Sequence, residues 1–141
     1  MKGIWISYLE MQNMNFSSEE SFKSDIDRIF ENCKNMGLNT LIVQVRAFGD
    51  AFYPSALFPY SHVITGRQGG APNFDPLAVM VNSAHEKGLR FEAWINPYRV
   101  KMNGVPTALA ESNPANDESL VLYTENGIFY NPASEKAQDL I

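Results

Sequence analysis

The chain has 141 residues, 45% hydrophobic and 19% charged, which is enough apolar material for one packed domain and excludes disorder as a description of the whole. Sixteen acids against eleven bases give a formal net charge of −5, and no basic run is present to neutralise phosphates, so nucleic acid is not expected as a partner. No apolar run approaches the roughly 18 residues of a spanning helix, so membrane insertion is not expected. Met1-Lys2-Gly3-Ile4-Trp5 runs straight into a strand pattern, so no signal peptide is expected within these residues.

Gly3 to Leu9, β-branched and aromatic, is expected to form a first strand. Ser17 or Ser18 then caps a helix whose first turn carries Glu19 and Glu20. Phe22, Ile26, Ile29, Phe30, Cys33 and Met36 recur at spacings of three and four, which is one apolar helix face, and Gly37 suits its left-handed end. The single cysteine, Cys33, excludes an internal disulfide and reads as a small buried hydrophobe. Thr40 to Arg46 is a second strand, TLIVQVR, followed by a long loop from Ala47 to Asn73. Asp75 caps and Pro76 opens a second helix, with Leu77, Met80, Val81 and Ala84 expected inside and Lys87-Gly88 at its end. Leu89 to Ile95 is a third strand. A second long loop follows Asn96-Pro97. Val121–Thr124 and Ile128–Tyr130 are predicted to pair across Glu125-Asn126-Gly127, and Asn131-Pro132 to cap a last helix.

Strands alternating with amphipathic helices predict an α/β fold with parallel pairing and right-handed crossovers. The helix-to-strand returns at Gly37 and Gly88 are tight, whereas long loops follow the strand C-terminal ends. That asymmetry is the habit of a (β/α)8 barrel, whose site is built from those loops. Such a barrel needs about 250 residues, so residues 1–141 are expected to be the N-terminal half of a single barrel domain, truncated at its C-terminus. The missing half of the barrel, or self-association through exposed strand edges, is then expected to cover the open sheet.

Side chains alternate along strands, and one face of a barrel strand looks inward. Leu41, Val43 and Val45 oppose Ile42, Gln44 and Arg46; Phe91, Ala93 and Ile95 oppose Glu92, Trp94 and Asn96; Ile4, Ile6 and Tyr8 oppose Gly3, Trp5 and Ser7. The apolar parity should pack under the helices, and the mixed parity should bring Gln44, Arg46, Glu92, Trp94 and Asn96 to one rim. Polar groups buried together need mutual hydrogen bonds or a ligand. One reading is an Arg46–Glu92 ion pair supported by Gln44; the other is a polar substrate cleft, and the two are compatible. The loops leaving that rim add Tyr53, Tyr98 and Arg99. Aromatic rings beside amide and guanidinium groups suit a polyhydroxylated ligand, the ring covering the C–H face of a sugar while polar groups take its hydroxyls.

Glycoside hydrolysis requires two carboxyl groups flanking the scissile bond. The rim acids are Glu10, Asp50 and Glu92, of which Glu92 and Asp50 are the catalytic candidates; Asp50 alternatively turns its Gly49-Asp50 loop, and Glu10 reads as solvated. His62 and His85 show no metal-ligand spacing, and His85 is expected to pack near its helix end. Gly69-Gly70 follows no strand and reads as a flexible turn, so neither a metal nor a cofactor is expected.

The segment LIVQVRAFGDAFYPSALFPYSHVITGRQGGAPNFDPLAVMVNSAHEKGLRFEAWINPYRV resembles the glycosyl-hydrolase-like 10 family, and KGIWISYL, GLNTLIVQVR and GIFYNPASEKAQDLI fit the same pattern. The resemblance spans essentially the whole chain. It implies a TIM-type barrel of bacterial glycoside-hydrolase-like proteins, a polysaccharide partner with peptidoglycan glycan strands as the leading idea, and a cell-envelope or extracellular setting. The family's pattern has His where this chain has Glu92, and its acidic strand signature falls past residue 141. The resemblance therefore implies a domain that binds glycan here and hydrolyses it only in the full-length protein; a non-catalytic carbohydrate-binding or scaffolding module is the alternative.

Overall fold

A computed structural model describes residues 1–141. In chain order the elements are β1 (Gly3–Ile6), α1 (Tyr8–Met11), α2 (Glu19–Asn35), β2 (Thr40–Arg46), α3 (His62–Thr65), α4 (Pro76–Glu86), β3 (Arg90–Ile95), β4 (Arg99–Met102), two short 3-10 turns (Pro114–Asn116 and Glu118–Leu120), β5 (Val121–Thr124), β6 (Gly127–Tyr130) and α5 (Glu135–Leu140). They form two compact units, residues 1–45 with 72–94 and residues 46–71 with 95–141. No helix is long and apolar enough to cross a membrane.

The first unit is mixed α/β. β1, β2 and β3 make a parallel three-stranded sheet with β2 in the centre, Gly3 lying opposite Thr40 and Ile6 opposite Val43. The predicted apolar parity holds on β2, where Leu41, Val43 and Val45 are fully buried. Each such side chain contributes about 1.5–3 kcal/mol on leaving water. Ser18 caps α2 by accepting from Ser21 N–H, and Phe22, Ile26, Phe30 and Cys33 are buried along it. Ile29 is only half-buried and Met36 is exposed, so the apolar face is narrower than its spacing predicts. Burial also raises the Cys33 thiol pKa, as expected of a packed rather than a reactive thiol. On α4, Asp75 accepts from the N–H groups of Leu77 and Ala78 with Pro76 behind it, as predicted.

The face of α4 differs from expectation. Val79, Met80, Ser83 and Ala84 are buried, while Leu77 and Val81 are half-buried. The helix is rotated because Ser83 donates to Asp27 of α2 at 2.6 Å, and Lys87 and Lys23 both pair with the same carboxylate. His85, expected to pack, is exposed on the other side of the helix. β1 is also shorter than its apolar run. Ser7 and Glu10 form a capping box, Ser7 N–H donating to Glu10 Oε2 at 2.7 Å, and this starts α1 where the strand was expected to continue. The hydrogen bonds from Ser7 hold the Glu10 carboxyl below its usual pKa, so Glu10 is a cap rather than a free rim acid.

The second unit replaces what reads in sequence as loops. β4, β6 and β5 form an antiparallel sheet in that order, Val121 opposite Tyr130 and Thr124 opposite Gly127. The hairpin between β5 and β6 is the predicted one. β4 has no counterpart in the prediction: it is four residues long, only Val100 is buried, and a register shift lies between Arg99 and Lys101. β6 approaches β4 so closely that a Cβ on Gly127 would lie 2.0 Å from the Lys101 carbonyl oxygen, so glycine is required there. The core of this unit comprises Ala51, Phe58, Val100, Ala115, Leu120, Val121, Tyr130 and Ala137. The last helix starts later than expected, because Ser134 is its cap and Asn131 only turns the chain by accepting from Ala133 N–H.

Asp27 supplies a test of the α2–α4 contact. Burial alone would raise its pKa, but hydrogen bonds from Lys23, Lys87 and Ser83 outweigh that and hold it well below the carboxylate range. A depressed folded-state pKa gives stability that is complete above the unfolded value, near 4, and is lost as pH falls below it. Asp27→Asn is expected to cost about 1 kcal/mol in urea unfolding at neutral pH, allowing for partial exposure. The difference from wild type should shrink as the pH is lowered towards 2; an unchanged difference would remove the charge from the contact.

Candidate functional site

The residues expected to share one rim divide between the units: Gln44, Glu92 and Trp94 belong to the first, Arg46, Asp50, Tyr53, Asn96, Tyr98 and Arg99 to the second.

In the first unit, alternation places Trp5, Ile42, Gln44, Glu92 and Trp94 on the sheet face opposite Leu41, Val43 and Val45. The Trp5 and Trp94 rings meet edge to face, their centroids 5.0 Å apart, which confirms the shared face. Trp5 is 62% exposed and Trp94 half-buried. Gln44 is buried; its Oε1 accepts from Tyr8 N–H at 3.2 Å while its Nε2 has no partner. Glu92 is half-exposed and pairs with Arg90 at 3.7 Å. The anticipated pairing of Glu92 with Arg46 is thus corrected, since the carboxylate finds a cation two residues away on its own strand. Trp5 was legible as a member of the mixed parity but carried no other signal; its register opposite Ile42 brings it into the cluster.

In the second unit, backbone carbonyls at the end of β2 gather three of the predicted residues. Asn96 N–H donates to the Arg46 carbonyl at 2.9 Å, and the Ala47 carbonyl accepts both Asn96 Nδ2 at 3.3 Å and Arg99 Nε at 2.7 Å. The Arg99 guanidinium lies over the Phe48 ring at 4.8 Å. Arg46 lies over the Phe58 ring at 3.6 Å and donates from Nη2 to the Pro97 carbonyl. Tyr53 is half-buried against the apolar core, and Tyr98 is exposed while its carbonyl accepts from Tyr130 N–H.

Asp50 is fully buried, with Oδ2 3.4 Å from both His62 Nδ1 and Gln68 Nε2 and Oδ1 without a partner. Gln68 extends this contact: its Oε1 accepts from Ala110 N–H and from Asn113 Nδ2, and Asn113 Nδ2 also donates to the Gly49 carbonyl at 2.8 Å. The network ties the Gly49-Asp50 turn to the segments carrying α3 and Ala110–Asn113. Gln68 and Asn113 have no motif in the sequence; only their position in glycine- and proline-rich stretches hinted at turn chemistry. Tyr130 is buried beneath, and burial pushes its pKa up to about 12, so its hydroxyl stays protonated. No three His, Cys, Asp or Glu side chains are grouped where they would hold a metal ion.

The family model described as Glycosyl hydrolase-like 10 matches residues 1–141. The chain is 35% identical over 148 aligned residues to a protein named glycosyl hydrolase YngK from Bacillus subtilis (strain 168), covering 100% of this chain and 29% of that protein. It is 34% identical over 124 residues to glycosyl hydrolase DigH from Escherichia coli (strain K12), covering 80% of this chain and 28% of that one. The chain therefore spans less than a third of the length of these relatives.

Gln68→Ala is expected to destabilise the second unit by about 1–3 kcal/mol, since it leaves Asp50, Asn113 and Ala110 N–H short of partners in a buried setting. Thermal unfolding checks this; a melting temperature within a degree or so of wild type would mean that solvent replaces Gln68 freely.

Proposed function

The chain belongs to the glycosyl hydrolase-like 10 family, and on that premise we propose that it is part of a glycoside-hydrolase-like barrel that holds a polysaccharide at the strand ends, peptidoglycan glycan being the leading substrate. In the full-length protein the domain hydrolyses glycosidic bonds. The barrel is supported by the parallel pairing of the sheet and by the apolar parity of β2, where Leu41, Val43 and Val45 are buried, and by Trp5 of β1, which stands exposed on the opposite face. Further strands continuing the sheet at β1 and β3 would enclose that face and cover two free edges that otherwise favour self-association.

The observation that carries the binding function is the Trp5–Trp94 pair beside Gln44 and Glu92. Indole faces take up the C–H surface of a sugar ring, and the amide Nε2 of Gln44, which has no partner, offers a donor to a hydroxyl. The second unit, taken by itself, carries polar and aromatic groups of the same kind in Arg46, Asn96, Tyr53, Tyr98 and Arg99. Of the two candidate acids Glu92 is half-exposed and open to a substrate, whereas Asp50, fully enclosed, acts by positioning its loop.

A second reading, a module that binds glycan without cutting it, is favoured by the state of these same two acids: one enclosed, the other paired with Arg90. In both readings this chain alone binds rather than hydrolyses, because the two-carboxyl mechanism needs a partner acid facing the bond.

Trp5→Ala and Trp94→Ala are each expected to weaken glycan binding about tenfold while the circular dichroism spectrum persists. Folded variants that bind like wild type would end the sugar-platform account. In the full-length protein, Glu92→Gln should slow hydrolysis by about a hundredfold if Glu92 transfers a proton; an unchanged rate assigns it to Arg90 and the module reading.

A further inference from the structure

Asparagine is followed by glycine at two places, Asn103-Gly104 and Asn126-Gly127, and both pairs turn the chain at hairpins of the second unit. This neighbour is the least hindered one for a reaction of the asparagine side chain itself, in which the next amide nitrogen reaches back to the carboxamide carbon and no Cβ stands in the way. The reaction needs that nitrogen unbonded, open to water and able to swing. The two pairs differ on all three counts.

Asn103 and Gly104 are the central residues of a two-residue turn, with φ of 50° and 78°. Met102 N–H donates to the Val105 carbonyl and Val105 N–H to the Met102 carbonyl, both at 2.9 Å. Both turn residues are exposed, the Gly104 N–H has no hydrogen-bond partner, and nothing lies within 4 Å of where a Gly104 Cβ would be. Asn103 N–H is anchored on the Asn126 carbonyl at 2.9 Å, so the residue keeps its place while its C-terminal side can turn. Only the Met102–Val105 bridge closes the hairpin, and Pro106 brings no N–H to extend it, so a local opening frees the Gly104 nitrogen. Gly127 is held where Gly104 is not. Its N–H donates to Thr124 Oγ1 at 3.1 Å, and it is paired with Met102 on one side and Thr124 on the other.

We propose that Asn103-Gly104 is a site of spontaneous deamidation in the folded protein and that Asn126-Gly127 is protected from it. Hydroxide takes the Gly104 amide proton, and the nitrogen forms a bond to Asn103 Cγ. The Cγ–Nδ2 bond breaks and ammonia leaves, with water supplying its proton. Water then opens the resulting five-membered imide at one of its two carbonyls. Opening at Cγ gives aspartate; opening at the backbone carbonyl gives isoaspartate, whose main chain runs through Cγ and is one carbon longer. Either product adds a negative charge, and the longer chain no longer fits the two-residue turn. This inference is independent of the glycan-binding reading.

Peptide mapping by mass spectrometry, on the folded chain held at mildly alkaline pH, tests it. Asn103 should convert at least about tenfold faster than Asn126, the factor that one hydrogen bond in need of opening implies. The rate should rise with pH, and enzymatic methyl transfer should detect isoaspartate at position 103. In urea the two sites should convert at similar rates, because each is followed by glycine. Equal rates in the folded chain, a faster Asn126, or an Asn103 that stays intact when folded and converts only in urea would each overturn the proposal. So would a difference that persists unchanged in urea, and aspartate as the sole product would remove the imide route.

Discussion

Everything that gives the first unit its direction follows from alternation on one central strand. β2 pairs in parallel at β1, so its side chains cannot be accommodated on a single face, and the sequence TLIVQVR separates them cleanly. Leu41, Val43 and Val45 are buried in the unit that also buries Phe22, Ile26 and Phe30 of α2. The other parity is then obliged to present Ile42 and Gln44, and the neighbouring strands add Trp5, Glu92 and Trp94 to the same face. A one-residue slip would exchange the two sets, turning Gln44 into the apolar layer and Leu41, Val43 and Val45 onto the face that carries Trp5 and Trp94. The apolar face therefore fixes the location of the polar one.

The second unit solves a different problem. Its segments have short strands and little continuous hydrophobic pattern, so backbone polar groups must be satisfied by side chains. Gln68 and Asn113 do this around the Gly49-Asp50 turn, and Asn96 and Arg99 do it at the Ala47 carbonyl. The consequence is orientation: guanidinium groups with many rotamers are held by carbonyls and by the Phe48 and Phe58 rings.

Regular elements were legible where a periodic pattern coincided with an unambiguous cap. Asp75-Pro76 and the Thr40–Arg46 run mark their elements to the residue, and Ser17-Ser18 marks the start of α2 to within one. Legibility failed where two local signals competed. The run Gly3–Leu9 reads as one strand by composition, yet the Ser7-x-x-Glu10 box turns its second half into a helix. Asn131-Pro132 looks like a cap, and Ser134 prevails because its hydroxyl reaches Ala137 N–H. The inner face of α4 departs from its hydrophobic pattern because Ser83 is drawn inward by Asp27. Among site residues, the chemistry-bearing types were recognisable one by one, but their partners were not. Arg90 for Glu92, Phe58 for Arg46 and Gln68 for Asp50 depend on the tertiary fold, and strand parity carries no information about them.

Trp5 and Trp94 are the chain's two tryptophans, and both stand on the sheet face assigned to the sugar. Indole N–H resonances in an amide-correlation NMR spectrum therefore report on that face alone. On addition of a glycan that binds, both indole signals should shift in a saturable manner along with Gln44 Nε2. Saturable binding that leaves both indoles and the Gln44 amide unmoved would place the ligand elsewhere and contradict the account.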